Sequence, residues 1–537
     1  VASTREALSR EAAVSPSEKS PVYITQTLRR AVQIRANDTA TICGKRRQTW
    51  TQFEQRIARL GSALKFLGVC PEDRVAVLAL NSDRYIEYFY AVAWIGAASN
   101  PVNIRLAPPE IAYTLDDSAS AVLFVDDTFA KMLPALRPLM KTVKHIVFMG
   151  DGALPEGCLS YEALIADHLP VADVNAGGGA LAGLFYTGGT TGKSKGVMLT
   201  HDNVVYNAIN VIPALHYDDT AVYLHAAPMF HLADMANTFA VTMAGGTHVA
   251  IPRFDVDDVL ATIARERVTH TVLVPTMINL LVSSGKIAEH DVSSLRRMLY
   301  GASPMPEAVL LRAMAALPGV GFTQGYGQTE AAPVVSFLEP KFHVAGGTKL
   351  TSAGRPAYGV EVLVMNEDDV EVPRCTVGEI CARGLNVMRG YWGLEEQSRQ
   401  TLRNGWLHTG DLGYMDADGF IFLVDRAKDM IISGGENIFS VEVEGAIYQH
   451  PAVQECAVIG IPSEQWGEAV LAIVVPKPGA SVSGEEIIAH CRTLIAGYKL
   501  PRSVELRLEP LPVSGAGKIL KTDLRKPYWA GRSKSVN

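Results

Sequence analysis

From about Pro21 to His270 the chain alternates short apolar runs with amphipathic stretches, and that alternation limits its fold most. A strand buried on both faces reads as a continuous apolar run, and parallel neighbours need a helical crossover between them. "DRVAVLAL" and "SAVLFVDD" are such runs, while "WTQFEQRIARLGSALKFLG" has apolar residues at helical spacing and ends on Gly68. "YFYAVAWIGAA" is apolar but too short to span a bilayer, and reads as a buried helix. The pattern predicts an α/β fold with parallel sheets, continued by "THTVLVPTMINLLVSSG" and "LRRMLYGASPMP". After about Thr351 the texture becomes short strands with Gly and Asp turns, a small β-rich subdomain. From "FLVDRAKDMIISGGENIFSVEVEGAI" onward it is a compact α+β unit, with "ECAVIGIP" and "EAVLAIVVP" as strands and "SGEEIIAHCRTLIAG" as a helix.

A chain of 537 residues is too long for one core. The expected division is a flexible tail over 1–20, a large unit over 21–425, a hinge at 426–428 and a mobile unit over 429–537. A net charge of −7 gives no reason to expect nucleic acid. The opening "VASTREALSREAAVSPSEKS" lacks the apolar centre of a signal peptide, and no apolar run reaches the roughly 18 residues of a membrane span. Seven cysteines at irregular spacing read as free thiols in a reducing cytoplasm, with Cys375 and Cys381 as packing residues. Thirteen histidines form no metal-binding spacing, so no structural metal is expected.

"YTGGTTGKSKGVMLTH", Tyr186 to His201, is a candidate phosphate loop. Glycines let the backbone turn its N–H groups toward one anion. Thr187, Thr190 and Thr191 add hydroxyl donors, and Lys193 and Lys195 add charge. The stretch misses the Walker A spacing by one residue, and the apolar "KGVMLTH" that follows is no helix start. Strand–loop–strand is therefore expected, with a helix only from about Asp202.

Other segments are individually weak. "QGYGQTE" offers a Tyr face for a base, a Thr for phosphate and Glu330 as a hard oxygen ligand for Mg²⁺. "LHTGDLG" offers Asp411, whose carboxylate suits a ribose diol, with Arg426 as support. "LPVSGAGKILK" carries Lys518 where a cation could be delivered to a reacting phosphate. His231, in "APMFHLADM", reads on its own as a packed core residue.

In this order, "YTGGTTGKSKGVMLTH", "YGASPMP", "GYGQTE", "GWLHTGDLG", "DRAKDMIISGGENIFSVEVE" and "GKILK" resemble the adenylate-forming superfamily, in its acyl-CoA synthetase branch. The resemblance runs from about Pro21 to Tyr528. It implies a large N-terminal domain of two βαβ-type sheets plus a small β-barrel, joined to a mobile C-terminal α+β domain, with dimers frequent. It implies ATP, Mg²⁺ and CoA. Thr187, Gly188, Gly189, Thr190, Thr191, Gly192, Lys193 and Lys195 would hold the β- and γ-phosphates. Gly301, Ala302, Ser303, Gln324, Gly325, Tyr326 and Gly327 would line the nucleotide site, with Tyr326 on adenine. Thr329 would touch the α-phosphate, Glu330 and Thr187 would serve Mg²⁺, and Asp411 and Arg426 would hold the ribose. Lys428 falls at the hinge position and Lys518 at the catalytic lysine. His231 falls beside the acyl carboxylate, in a pocket with Met235, Val274, Gly301, Gly327 and Pro333. Ser433, Gly434, Gly435, Glu436 and Lys499 would meet CoA.

Two positions depart from the family's loop: Gly189 disturbs a Ser-Gly pair, and Ser194 replaces a Pro. Neither removes a charge. The implied reaction is attack of a carboxylate on the α-phosphorus of ATP, then capture of the acyl-adenylate by the thiol of CoA. An amine or carrier-protein acceptor, or a nucleotide-binding scaffold without chemistry, are the competing readings. The small and apolar lining favours an apolar monocarboxylate: a medium- to long-chain fatty acid first, an aryl or alicyclic acid second, a short thioether or branched acid third. Asp234 stands out in that lining, and reads as a helix cap.

Overall fold

The computed structural model describes residues 21–187, 194–426, 428–514 and 518–530. The expected tail over 1–20, the loop residues Gly188, Gly189, Thr190, Thr191, Gly192 and Lys193, and the middle of the expected hinge lie outside them.

Two large sheets carry the chain up to Pro356. The first has eight strands, in the order Gly390–Tyr391, Lys195–Thr200, Leu181–Thr187, Ala98–Pro101, Arg74–Leu78, Val122–Val125, His145–Phe148 and Leu159–Ser160. Pairing is parallel from Leu181–Thr187 through Leu159–Ser160. Lys195–Thr200 then turns back antiparallel on Leu181–Thr187, which is the expected strand–loop–strand. The helix that follows is His201–Leu215, started by a reciprocal cap between Thr200 and Asn203.

The second sheet has nine strands, centred on Val222–His225, His270–Val272, Arg297–Gly301 and Gly321–Gly327 in parallel. The main apolar core draws on both sheets and on the helices Trp50–Phe66, Asp83–Trp94, His201–Leu215 and Leu232–Ala244. The helix Asp83–Trp94 has every residue buried. Its Glu87 receives Arg56 at 2.7 Å, Gln48 at 2.8 Å and the Tyr161 hydroxyl at 2.5 Å. A carboxylate without water is tolerable only when its lone pairs are filled in this way.

The segment expected as a β-barrel is a four-stranded antiparallel sheet, Val360–Met365, Gly378–Gly384, Leu407–Met415 and Ile421–Arg426 in that order. Beyond it lies another sheet, of Ile431–Ser433, Glu436–Ile438, Val453–Ser463, Gly467–Pro476 and Ser503–Leu506, covered by Ser440–Tyr448, Gly484–Arg492 and Lys521–Trp529. Its apolar residues, among them Ile431, Val443, Val458, Val474 and Ile487, form clusters separate from the main core. No helix among the described residues is long and apolar enough to cross a membrane.

Candidate active site

The hairpin that carries the phosphate loop closes with Thr187 opposite Lys195. The Lys195 ammonium stands 5.0 Å from the centre of the Tyr391 ring. The Tyr391 hydroxyl in turn donates to Glu330 Oε1 at 2.8 Å. Thus the base of the loop and Glu330 share one neighbour. Glu330 sits in the tight turn Thr329–Ala331, and its carbonyl accepts the Met388 N–H at 2.8 Å.

Gly301 ends one parallel strand, with Ala302 and Ser303 just after it, and Gln324, Gly325, Tyr326 and Gly327 end its neighbour. Gly301 and Gly325 lie side by side. A Cβ on Gly301 would fall 2.1 Å from the Gly325 carbonyl oxygen, and one on Gly327 1.8 Å from the carbonyl oxygen of Pro333. Strand packing alone already requires glycine at both positions. Gln324 Oε1 accepts from the Tyr300 hydroxyl at 3.3 Å.

Asp411 and Arg426 face each other on paired strands. Asp411 Oδ2 accepts from the Tyr326 hydroxyl at 2.8 Å, and Oδ1 lies 3.2 Å from Arg426 Nε. Burial and the Asp411 charge push the Tyr326 phenol well up, so it stays a neutral donor. The Lys518 N–H donates to Ser514 Oγ at 3.1 Å. Its ammonium lies within electrostatic reach of Arg426, Asp411, Glu330 and Lys428, and burial with the two cations lowers its pKa to about 8. Residues almost two hundred positions apart in sequence thus converge: Tyr326, Glu330, Asp411, Arg426 and Lys518.

His231 is half-buried at the start of the helix Leu232–Ala244. Its Nδ1 accepts the Ala233 N–H at 3.2 Å. Burial, with the Lys518 charge beside it, lowers its pKa to about 3. A neutral ring whose Nδ1 accepts must carry its proton on Nε2, so His231 offers one N–H donor and no charge. Met235 and Val274 are buried, and Pro333 follows a cis bond.

Asp234 is not a cap; His231 fills that place. The Asp234 carboxylate is fully buried, with the Tyr223 hydroxyl at 2.9 Å on one oxygen and His225 Nδ1 at 2.6 Å on the other. His225 Nε2 continues to His248 Nδ1 at 3.0 Å, and His248 Nε2 to the Thr242 hydroxyl at 2.9 Å. Sequence spacing gave no sign of this chain, because adjacent parallel strands bring the two histidines together.

The residues expected at CoA form a separate group. Ser433, Gly434, Gly435 and Glu436 make the tip of the hairpin between Ile431–Ser433 and Glu436–Ile438, with φ of +62° and +84° at the glycines. Lys499 is paired with Glu442 at 2.6 Å. Among the described residues, no hydrogen bond or ion pair joins this group to the Asp411–Lys518 cluster. Of the two cysteines expected to pack, Cys375 is exposed, and buried Cys381 lies beside His408 and Glu379.

A family described as AMP-binding enzyme matches residues 28–392, and its companion, the AMP-binding enzyme C-terminal domain, matches 442–518. The chain belongs to the AMP-binding enzyme family. Its activity class is that of the AMP-forming acid–thiol ligases, the acyl- and aryl-CoA synthetases, which work with ATP, Mg²⁺ and CoA. The ligase is 39% identical over 500 residues to a feruloyl-CoA synthase of Amycolatopsis sp, covering 93% of this chain and 98% of that one. It is 35% identical over 487 residues to a long-chain-fatty-acid–CoA ligase of Mycobacterium tuberculosis, covering 90% and 94%. Among solved structures, the anthranilate CoA ligase AuaEII in complex with anthranoyl-AMP superposes on the ligase with a TM-score of 0.89 at 30% identity, covering 96% and 98%.

Proposed function

We propose that this ligase activates an aromatic monocarboxylic acid with ATP and passes it to CoA, releasing AMP and pyrophosphate. The observation that carries the adenylation is the convergence of Lys518 on Asp411, Arg426 and Glu330. The aromatic acid moves ahead of the fatty acid expected first. The feruloyl-CoA synthase and the anthranilate ligase support it. The helix that carries His231 and Met235 is fixed by hydrogen bonds that Asp234 accepts from the Tyr223 hydroxyl and His225.

The substrate carboxylate is ionised at neutral pH, so the first step needs no general base. It needs two anions brought together. Asp411 and Arg426 fix the ribose, Tyr326 covers the base, and Thr187 with Lys195 brackets the β- and γ-phosphates. The His231 Nε2–H and the Lys518 ammonium hold the carboxylate in line with the α-phosphorus. Lys518 then stabilises the charge that develops as pyrophosphate leaves. Glu330 fits a magnesium ion: it is a half-buried hard-oxygen donor whose Oε1 is oriented by Tyr391, and whose Oε2 has no hydrogen-bond partner among the described residues. When bound there, the ion supplies neutralisation of phosphate charge.

For the second step the C-terminal part pivots at 426–428. Arg426 belongs to the four-stranded sheet, while Arg525 of the last helix holds the Lys428 carbonyl at 3.1 Å and Asp429 at 2.9 Å. Residues on either side of the pivot are thus tied to different bodies. The turn at Gly434 and Gly435 then meets pantetheine, and the CoA thiol, with its pKa near 8.5, supplies enough thiolate to attack the acyl-adenylate.

The test is acid-dependent pyrophosphate release over a panel of cinnamic, benzoic, arylacetic and C6 to C18 alkanoic acids, with and without CoA. Aryl acids leading in kcat/KM, with aryl-CoA formed on adding CoA, support the reading. Leading alkanoates would return the fatty acid to first place. Release that CoA does not accelerate would point to an amine or carrier-protein acceptor.

A further inference from the structure

Asp411 stands on an irregularity. Between the strands Gly378–Gly384 and Leu407–Met415, Glu379 pairs with Leu412 but Cys381 pairs with His408. One step of two residues on the first strand answers four on the second, so Thr409, Gly410 and Asp411 stand out of the ladder. Such a bulge re-aims a side chain, and something must hold it. Gly410 accommodates the turn with φ of +72°. Glu379 Oε1 accepts the Gly410 N–H at 2.9 Å, and Oε2 lies 2.8 Å from His408 Nδ1. The Thr409 hydroxyl donates to the Ile380 carbonyl at 2.6 Å and accepts the Asp411 N–H at 3.1 Å.

A second layer braces Glu379. Arg403 Nη2 lies 3.4 Å from Glu379 and 2.9 Å from Asp369, and Asp369 lies 3.6 Å from His408 Nε2. Glu379, Cys381 and His408 are close enough together to suggest a metal site, but Arg403 already provides the cation. Burial and the Glu379 charge keep the Cys381 thiol protonated. Arg403 thus answers both the Glu379 and the Asp369 carboxylates, and the stretch of Leu407–Met415 left without partners on Gly378–Gly384 is the bulge that bears Asp411.

We propose that Glu379 is a positioning residue for the nucleotide: by holding the Gly410 N–H and the His408 ring it fixes the bulge, and so sets where Asp411 meets the ribose hydroxyls. This rests on the reading of Asp411 as the ribose partner. A carboxylate that must take two hydroxyls at once tolerates little misplacement, so loosening the bulge weakens this contact before any other.

The experiment compares kcat/KM for ATP and for 2′,3′-dideoxy-ATP in pyrophosphate release, in wild type, E379A, E379D, E379Q and D411A. Two hydrogen bonds to a charged group give the wild type a preference for ATP of about 10²-fold or more. D411A should abolish most of that preference. E379A should lower it about tenfold with kcat/KM for the dideoxy nucleotide nearly unchanged, because only the hydroxyl contact is lost. E379Q, whose amide oxygen still accepts from Gly410, should keep it within about threefold. E379D retains the charge on a shorter arm and should behave like E379A, so the test survives a failure of E379A to fold. Equal losses for both nucleotides in E379A and E379D, with D411A collapsing the preference, would overturn the positioning role. An unchanged preference in D411A would instead overturn the ribose reading, and the positioning role with it.

Discussion

Lys518 is charged at neutral pH but only just, and its titration should be visible in the chemistry. Its pKa falls from the ordinary 10.5 to about 8 through burial beside Arg426 and Lys428. Adenylation needs the ammonium, so kcat/KM for acid-dependent pyrophosphate release without CoA should be level below about pH 8 and fall tenfold per unit above it. Bound ATP brings negative charge to the amine and raises its pKa, so the fall in kcat should lie at higher pH than that in kcat/KM. K518A should lose about 10²–10³ in rate and show no such fall. K518R should lose rate through misfit, yet also hold a flat alkaline side, since a guanidinium does not titrate there. The sign for stability is opposite. A lysine with a lowered folded pKa leaves the unfolded chain binding more protons between pH 8 and 10.5, so stability rises across that window. Below it the buried charge costs on the order of 3 kcal/mol, from the fall of the pKa to about 8. K518A should therefore keep or raise Tm at pH 7 while losing activity. A lower Tm, or an alkaline fall that survives in K518A and K518R, would refute the assignment.

Three other perturbations separate packing from function. G301A places a Cβ 2.1 Å from the Gly325 carbonyl, so thermal unfolding should show a loss of about 1–3 kcal/mol and activity should fall alike for every acid; a change of acid preference at unchanged Tm would contradict this. D234A leaves Tyr223 and His225 buried without their acceptor, and denaturant unfolding should show a loss of about 3–5 kcal/mol. G435A meets no atom within 4 Å but must hold φ near +84°; a cost of about 1 kcal/mol is expected, with thioester formation losing more than pyrophosphate release, and equal loss in both would count against a CoA role for the turn.

Much of the fold was legible because local pattern and topology agree in it. The runs "DRVAVLAL" and "SAVLFVDD" became Arg74–Leu78 and Val122–Val125, and the apolar "KGVMLTH" ruled out a helix after the phosphate loop, where Lys195–Thr200 is indeed a strand. The nucleotide cluster was legible only through its motifs in order; composition alone left Asp411 and Lys518 as ordinary turn residues. What stayed hidden was contact between distant segments. Asp234 looked like a cap because its partners, His225 and Tyr223, enter from a neighbouring strand. Tyr391 carried no motif at all, yet it links Lys195 to Glu330. Glu379 and His408 drew no notice in the sequence, because nothing in it reveals a register shift. The packing reason for Gly301 was hidden in the same way, because its neighbour Gly325 lies on another strand.

The hairpin beneath the phosphate loop bears on how this sequence is free to vary. Leu181–Thr187 and Lys195–Thr200 pair directly with each other, with Leu184 opposite Met198 and Thr187 opposite Lys195. The connection from 188 to 194 therefore starts and ends at one fixed gate. Its entropy of closure depends only logarithmically on its length, and its composition does not enter the pairing of the strands. Gly189 and Ser194, which depart from the family's loop, both fall between these two strands, so neither position takes part in their pairing. A lineage could thus vary this connection one residue at a time without renegotiating the sheet that holds it.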